Sequence, residues 1–378
     1  MMNYDYDYVH FFLIDSGVFN VATQEMIEKY DAHNRHLFVY AYKNFSYSSD
    51  NTIYDSSILN IANIDRYLLK SKYLVIHGLV YKPLEILKIK NTVAKRMIWC
   101  VWGSDLYPNI NWYRYSSVYK VIKVILSYLT GKRLIRYLAD RKIASYKAIF
   151  VGFAGDREII RNRFGKKVPI FTALYPMGFY KNDIDSVLSR NKVNNIFPPE
   201  KYINILLGHS GYDFLQHEKW IEKLIDKKLK INIFLPLNYG DQKYINKIKK
   251  RCNEVPNIFP LTEFMDYGRY ICYLRNMDWA IFDFKHQAAF GNMILLFYLG
   301  KRVYLDPQGI MYKTFSNLGL KVFSVNDLIK DILKPKIYDD VVIEKNKLYA
   351  EKMLSEDLLA SNWIEAFDCI NIVEGGKS

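Results

Sequence analysis

Long hydrophobic runs are missing from this chain of 378 residues. None approaches the roughly 18 consecutive apolar residues that a membrane-spanning helix requires, so an integral membrane protein is not expected. The opening Met-Met-Asn-Tyr-Asp-Tyr-Asp has neither the basic nor the apolar stretch of a secretory leader, and the cytoplasm is the expected address. Cysteine is scarce: the four residues at 100, 252, 272 and 369 form no CxxC pair, which argues against a zinc site or a disulfide framework. There is no HExxH, no G-x-S-x-G elbow and no Walker sequence, so metal hydrolase, α/β-hydrolase and P-loop chemistry lose their support. Asp5-Tyr6-Asp7 and Asp183-Ile184-Asp185 have the spacing of a metal-binding DxD pair. The first precedes the opening strand and the second lies in an expected linker, so no metal is expected at either.

Apolar residues are plentiful. They make up 50% of the chain against 24% charged, which excludes a disordered polymer and supports a substantial core. Lys and Arg total 53 and Asp and Glu 39, a net charge of +14. Such a surplus calls for an acidic partner: nucleic acid, an anionic lipid surface or a phosphorylated ligand. Short runs apolar on both faces (Tyr8–Ile14, Leu37–Ala41, Tyr73–His77, Met97–Trp102, Ala148–Gly152) read as buried parallel strands with helices between them. A second set follows at Ile203–Leu207, Ile231–Leu235, Trp279–Phe284 and Val303–Leu305. The expected class is α/β. The expected division is residues 1–178, a linker at 179–200, a second domain at 201–340 and a terminal helical stretch at 341–378.

Four places could carry chemistry. Trp102-Gly103-Ser104-Asp105-Leu106-Tyr107 follows a strand, where open α/β sheets bind ligands; Asp105 there either contacts a substrate hydroxyl, as a general base, or caps the turn. His10 and His77, on neighbouring strands, are second choices for that base. Gly208-His209-Ser210-Gly211 follows the first strand of the second half, where glycines let main-chain N–H groups approach phosphate. His217, opening the next helix, either faces that phosphate or is a surface histidine near a cap. Near Lys285 and His286, a loop leads into a helix whose first turn holds Gly291 and Asn292, a place for a diphosphate against the helix dipole. Finally, residues 119–142 interleave apolar residues with Lys120, Lys123, Lys132, Arg133 and Arg136. That pattern fits either an anionic membrane surface or a solvated helix packed on the sheet.

Taken in order, His77-Gly78, the Trp102–Tyr107 string, Tyr175-Pro176, Gly208–Gly211, Leu235-Pro236 with Tyr239, and Arg275, Asp278 and Gln287 through Gly291 follow one layout. It resembles that of the TDP-N-acetylfucosamine:lipid II N-acetylfucosaminyltransferase family of enterobacterial common antigen synthesis. The resemblance implies a GT-B fold: two Rossmann-like domains facing a central cleft, with acceptor bound mainly by the first and nucleotide sugar mainly by the second. It also implies a terminal helix that crosses back to the first domain, and diphosphate neutralisation without a metal or other cofactor. By this likeness Gly208, His209, Ser210, Gly211, His217, Tyr239, Lys285, Gln287, Gly291 and Asn292 would meet a donor of the TDP or UDP type. Trp102, Tyr107, Lys132, Arg133 and Arg136 would meet the acceptor or the membrane.

The implied acceptor is an undecaprenyl-diphosphate-linked glycan at the inner face of the cell membrane. The implied sugar is a 4-acetamido-4,6-dideoxyhexose or a relative of it. His209 stands where the family pattern has Asn, and Asn292 where it has Thr, so the sugar or base is open to change, and a capsule or O-antigen pathway fits the composition. Two other classes compete. A non-catalytic nucleic-acid-binding protein would suit the charge, but the lysines are dispersed and no recognised module appears, so no nucleic acid is expected. A nucleotide-sugar epimerase would act without a lipid acceptor.

Overall fold

The computed structural model describes residues 4–43, 49–103, 105–107, 130–190, 202–225, 229–334 and 340–375. The chain divides into two compact units, Met1–Gly178 with Glu356–Ser378, and Phe179–Ser355.

The first unit is built on seven parallel strands: β1 (Tyr6–Phe12), β2 (His36–Tyr40), β3 (Thr52–Tyr54), β4 (Ser71–His77), β5 (Met97–Val101), β6 (Ala148–Val151) and β7 (Ile170–Thr172). Their order is β3-β2-β1-β4-β5-β6-β7. β1 and β4 therefore lie side by side although two strands separate them in sequence, and their carboxyl ends mark the switch point where such sheets bind ligands. Strand alternation sends Val9, Phe11, Leu74, Ile76 and Trp99 into one hydrophobic core. Tyr8, His10 and Phe12 occupy alternate positions and so face the other side. There the helix Glu356–Gly375 packs against the helix Val18–Tyr30 and β7. Phe367 lies 4.4 Å from Tyr8 between ring centroids, and Trp363 donates its indole N–H to Leu174 O at 2.8 Å.

The second unit repeats the plan with six parallel strands: β8 (Ile203–Leu207), β9 (Ile231–Pro236), β10 (Ile258–Leu261), β11 (Trp279–Phe282), β12 (Arg302–Leu305) and β13 (Phe323–Ser324). The order is β10-β9-β8-β11-β12-β13, with its switch point between β8 and β11.

Two expectations differ from the observed elements. Within the stretch read as linker, Lys181–Arg190 is a helix of the second unit. It buries Ile184, ties Lys181 to Asp185 at 2.9 Å and joins Tyr298 to Asp185. Residues 191–200 lie outside the described residues. The terminal stretch is two helices rather than one: Asp340–Met353 belongs to the second unit and Glu356–Gly375 to the first.

Candidate active site

In the first unit the loop after β5 is held by its own carboxylate. Asp105 Oδ2 accepts from Leu79 N at 2.9 Å and Trp99 Nε1 at 2.7 Å, and Oδ1 accepts from Trp102 N at 3.0 Å. The residue is 6% exposed. Burial pushes its carboxyl up to about 6, against the Trp99 and main-chain bonds that favour the anion. The alternative in which Asp105 caps the turn describes this geometry, since both oxygens are spent on the chain itself. Ser104 lies outside the described residues. Tyr107 donates to Asp156 Oδ1 at 2.7 Å. Asp156, at the carboxyl end of β6, is likewise buried and pushed up to about 7 by burial, with the nearby Asp105 adding to the shift. Sequence reasoning missed Asp156. Trp102 stays half-buried at the rim, edge-on to Tyr175 at 5.1 Å and to the exposed Phe19 at 6.4 Å between ring centroids.

His10 and His77 do not reach the surface as bases. They are 0% and 1% exposed, members of a chain of hydrogen bonds across the sheet. His10 Nδ1 meets His77 Nε2 at 2.9 Å, and His10 Nε2 meets His36 Nδ1 at 3.0 Å. At one end His36 Nε2 contacts Asp31 Oδ2 at 3.1 Å; at the other, His77 Nδ1 contacts the Tyr175 hydroxyl at 2.7 Å. The pairing register explains the placement. Tyr8 aligns with His36, and Phe12 with His77, so both imidazoles lie diagonal to His10 on one face. Burial, with the neighbouring imidazoles, holds His10 well below the usual histidine range, and burial holds His77 down to about 3. Asp31 remains low despite its burial, because bonds from His36 and Asn34 favour the carboxylate. Asp31, His36 and Tyr175 were not singled out as site residues from the sequence. The signal was available: histidines at inward positions of strands that become neighbours only once the strand order is known.

In the second unit the Gly208–Gly211 loop closes on the protein as well as on the solvent. Gly211 and Gly240 form a bridge between the ends of β8 and β9, with Gly211 N donating to Tyr239 O at 2.7 Å. A Cβ on Gly240 would stand 2.5 Å from the Gly211 carbonyl carbon and oxygen, so the close approach of the two backbones demands glycine there. Gly208 has φ +74°, and a Cβ on it would stand 2.7 Å from His217 Nε2. His217 is accordingly beneath the loop, 0% exposed, its Nδ1 3.2 Å from the Tyr244 hydroxyl, and burial holds it down to about 3. Both expectations for His217, a phosphate contact and a surface histidine, give way to a buried packing role. Ser210 is fully buried as well.

What remains at this edge is aromatic. Tyr212 and Tyr239 are exposed, Tyr212 stacks on Phe214 at 5.8 Å, and His286 lies 4.8 Å from Phe214 and 5.2 Å from Phe284 between ring centroids. Burial keeps the half-buried His209 and His286 down to about 4, so both are neutral at pH 7. Beside them the helix Phe290–Tyr298 begins from Ala289, which adopts the left-handed φ of 54° and supplies no side-chain cap. Gly291 and Asn292 stand in its first turn, half-buried, with Asn292 Oδ1 accepting from the Tyr270 hydroxyl at 3.0 Å. A first turn without a side-chain cap is the kind of helix end at which main-chain N–H groups meet anions. Gln287 is half-buried in the loop before it, and the exposed Lys285 donates to Gln308 at 2.7 Å.

Lys132, Arg133 and Arg136 are exposed on the helix Lys132–Ile143, beside Leu134, Tyr137 and Leu138. Residues 108–129, and with them the part of the basic amphipathic stretch that holds Lys120 and Lys123, lie outside the described residues. Among the described residues no helix is long and apolar enough to cross a membrane, and no group of three or more His, Cys, Asp or Glu is placed to hold a metal ion. The DxD look-alikes have local partners: Asp7 pairs with Arg35, and Asp183 accepts from Tyr180 N.

Two Rossmann-like parallel units with open carboxyl edges define the GT-B class of sugar transferases, and solved structures agree. Trehalose 6-phosphate synthase of Burkholderia multivorans aligns with a TM-score of 0.63 at 8% identity, over 100% of each chain. Anabaena HepE in complex with UDP and glucose aligns with a TM-score of 0.60 at 11% identity, over 95% of this chain and 99% of HepE. A Rickettsia africae glycosyltransferase aligns at 0.58 and 14% identity, over 97% and 99%. At these identities the likeness is one of fold. Residues 33–349 match the model of the 4-alpha-L-fucosyltransferase family, glycosyl transferase group 56. The chain belongs to that family and is a glycosyltransferase.

Proposed function

We propose that this glycosyltransferase moves a 4-acetamido-4,6-dideoxyhexose or a related sugar from a TDP or UDP donor to a lipid-linked oligosaccharide in bacterial surface polysaccharide synthesis, and that it does so without a metal. The observation that carries the reading is the uncapped first turn of the helix Phe290–Tyr298 at the carboxyl edge of the second sheet. Main-chain amides there, with the dipole behind them, stabilise a diphosphate leaving group as its charge develops, worth about 3–4 kcal/mol for a well-placed donor. Exposed Tyr212 and Tyr239 offer flat surfaces beside it for a nucleobase. HepE, of the same fold, was solved with UDP and glucose, which supports a nucleotide sugar here.

In this reading the acceptor docks at the carboxyl edge of the first sheet, against Trp102. Asp105, satisfied by three donors of its own chain, shapes that loop and does not take the acceptor proton. The exposed Lys132, Arg133 and Arg136, with Leu134 and Tyr137, draw the protein to an anionic inner-membrane surface. The test is direct: purified protein, EDTA, a set of TDP- and UDP-sugars and an undecaprenyl-diphosphate-linked glycan, with product mass as the readout. A mass gain of one sugar on the lipid supports the reading. Isomerisation of the free donor, or transfer only with added magnesium or manganese, would overturn it.

A further inference from the structure

The imidazole chain in the first unit has a direction. All six ring nitrogens of His36, His10 and His77 have a partner within 3.1 Å, and the chain ends on a carboxylate at one side and a phenol at the other. A neutral imidazole has one donor and one acceptor nitrogen, so a run of neutral rings has two possible registers. An Asp31 carboxylate can only accept. A neutral His36 beside that carboxylate carries its proton on Nε2 and accepts on Nδ1 from His10 Nε2–H. His10 Nδ1 accepts from His77 Nε2–H, and His77 Nδ1 accepts from the Tyr175 hydroxyl. Every proton is placed by Asp31, three rings away from Tyr175.

Asp31 is built to remain an anion. Its Oδ1 accepts from His33 N at 3.3 Å and Asn34 N at 3.2 Å, and Asn34 Nδ2 reaches both oxygens at 3.1 and 2.9 Å. Water is kept off the run: Asp31, His36, His10 and His77 are all buried, with Phe367 5.4 Å from His36 and Trp363 stacked 5.7 Å from His77. At the other end Tyr175 is half-buried and meets Trp102 edge-on at 5.1 Å.

We propose that Asp31 is a positioning residue for acceptor recognition: through three buried imidazoles it locks the Tyr175 hydroxyl as a donor to His77, and so fixes the Tyr175–Trp102 pair against which the acceptor sugar packs. The acceptor clause rests on the sugar-transfer reading above; the proton arrangement does not.

Ring nitrogen spectra of the full chain labelled at its seven histidines test both. In the wild type at pH 7, His36, His10 and His77 are expected as the Nε2–H tautomer. In Asp31→Asn the new amide keeps its oxygen toward the two main-chain donors and turns its NH2 to His36, so all three rings switch to Nδ1–H. Tyr175→Phe removes the hydroxyl but not the anchor and leaves the tautomers unchanged. Both variants are expected to raise the KM for acceptor at least fivefold while the KM for donor stays within twofold. Mixed or Nδ1–H tautomers in the wild type, or unchanged tautomers in Asp31→Asn, overturn the proposal; so does a full switch with the acceptor KM unmoved. If Asp31→Asn does not fold, the wild-type spectrum and Tyr175→Phe decide it. A wild type that transfers no sugar at all removes the function proposed above, and the tautomer spectra still judge the chain.

Discussion

Asp105 is the residue for which the sequence leaves two roles open. The Trp-Gly-x-Asp-Leu-Tyr string marks a carboxylate just past a strand, and nothing in it tells a base from a clamp. The difference lies in Leu79 N and Trp99 Nε1, donors that only the folded sheet brings to it. A clamp makes a strong stability prediction. Asp105→Ala leaves three donors without their acceptor, and chemical denaturation should show a loss of about 3 kcal/mol or more. A base exposed to substrate would lose activity with stability unmoved. Asn292 tests the opposite edge. Asn292→Asp places an anion in the first turn of its helix, which should stabilise the fold by about 0.3–1 kcal/mol through the dipole while weakening nucleoside diphosphate binding by about tenfold. Calorimetry that found the diphosphate affinity unchanged would remove Asn292 from the donor site. His36 and Asp31 show why the first unit's polar chain was hard to read: residues 26 positions apart in sequence, such as His10 and His36, meet only through strand order.

Elements were legible in proportion to their burial. β1, β2, β4, β5 and β6 announce themselves as apolar runs because both faces are covered. β3, β7, β10 and β13 have two to four residues each and stand at or next to a sheet edge, half wetted, and their short mixed sequences carry no period. Lys181–Arg190 was hidden by its polarity, since a surface helix that buries Ile184 alone among its fully buried residues leaves a weak stripe. The helix Lys132–Ile143 carries its own prediction. Charge reversal is unnecessary: replacing Lys132, Arg133 and Arg136 together with Gln should cut binding to anionic vesicles by about a hundredfold, at about 1 kcal/mol per basic residue, and leave binding to zwitterionic vesicles unchanged. Equal sedimentation of both proteins with anionic vesicles would rule out this helix as the contact.

At the scale of the whole molecule, the buried ionisable groups set how stability follows pH. His77, His209, His217 and His286 are held down to about 3 to 4, and His10 well below its usual range, so the unfolded chain binds protons near pH 6.5 that the folded chain refuses. That share of stability is present above pH 6.5 and lost as the pH falls. Asp105 and Asp156, raised to about 6 and 7, act the other way: the stability they lend is full in acid and is lost as the pH rises through those values. Five imidazoles outweigh two carboxyls. Denaturation midpoints should therefore fall from pH 7 to pH 5, with a slope exceeding the roughly 1.4 kcal/mol per pH unit of one net proton; a flat or rising profile would contradict the buried, neutral histidines. Gross architecture was the most legible level of all, because two successive series of strand and helix admit few other folds. The second unit is proposed to hold a nucleoside diphosphate without a metal. Titration calorimetry of TDP and UDP into the full chain, in EDTA and again in magnesium, tests it most directly: one diphosphate bound with the same affinity in both is the predicted result, and binding that appears only with the metal, or neither nucleotide binding at all, would contradict it.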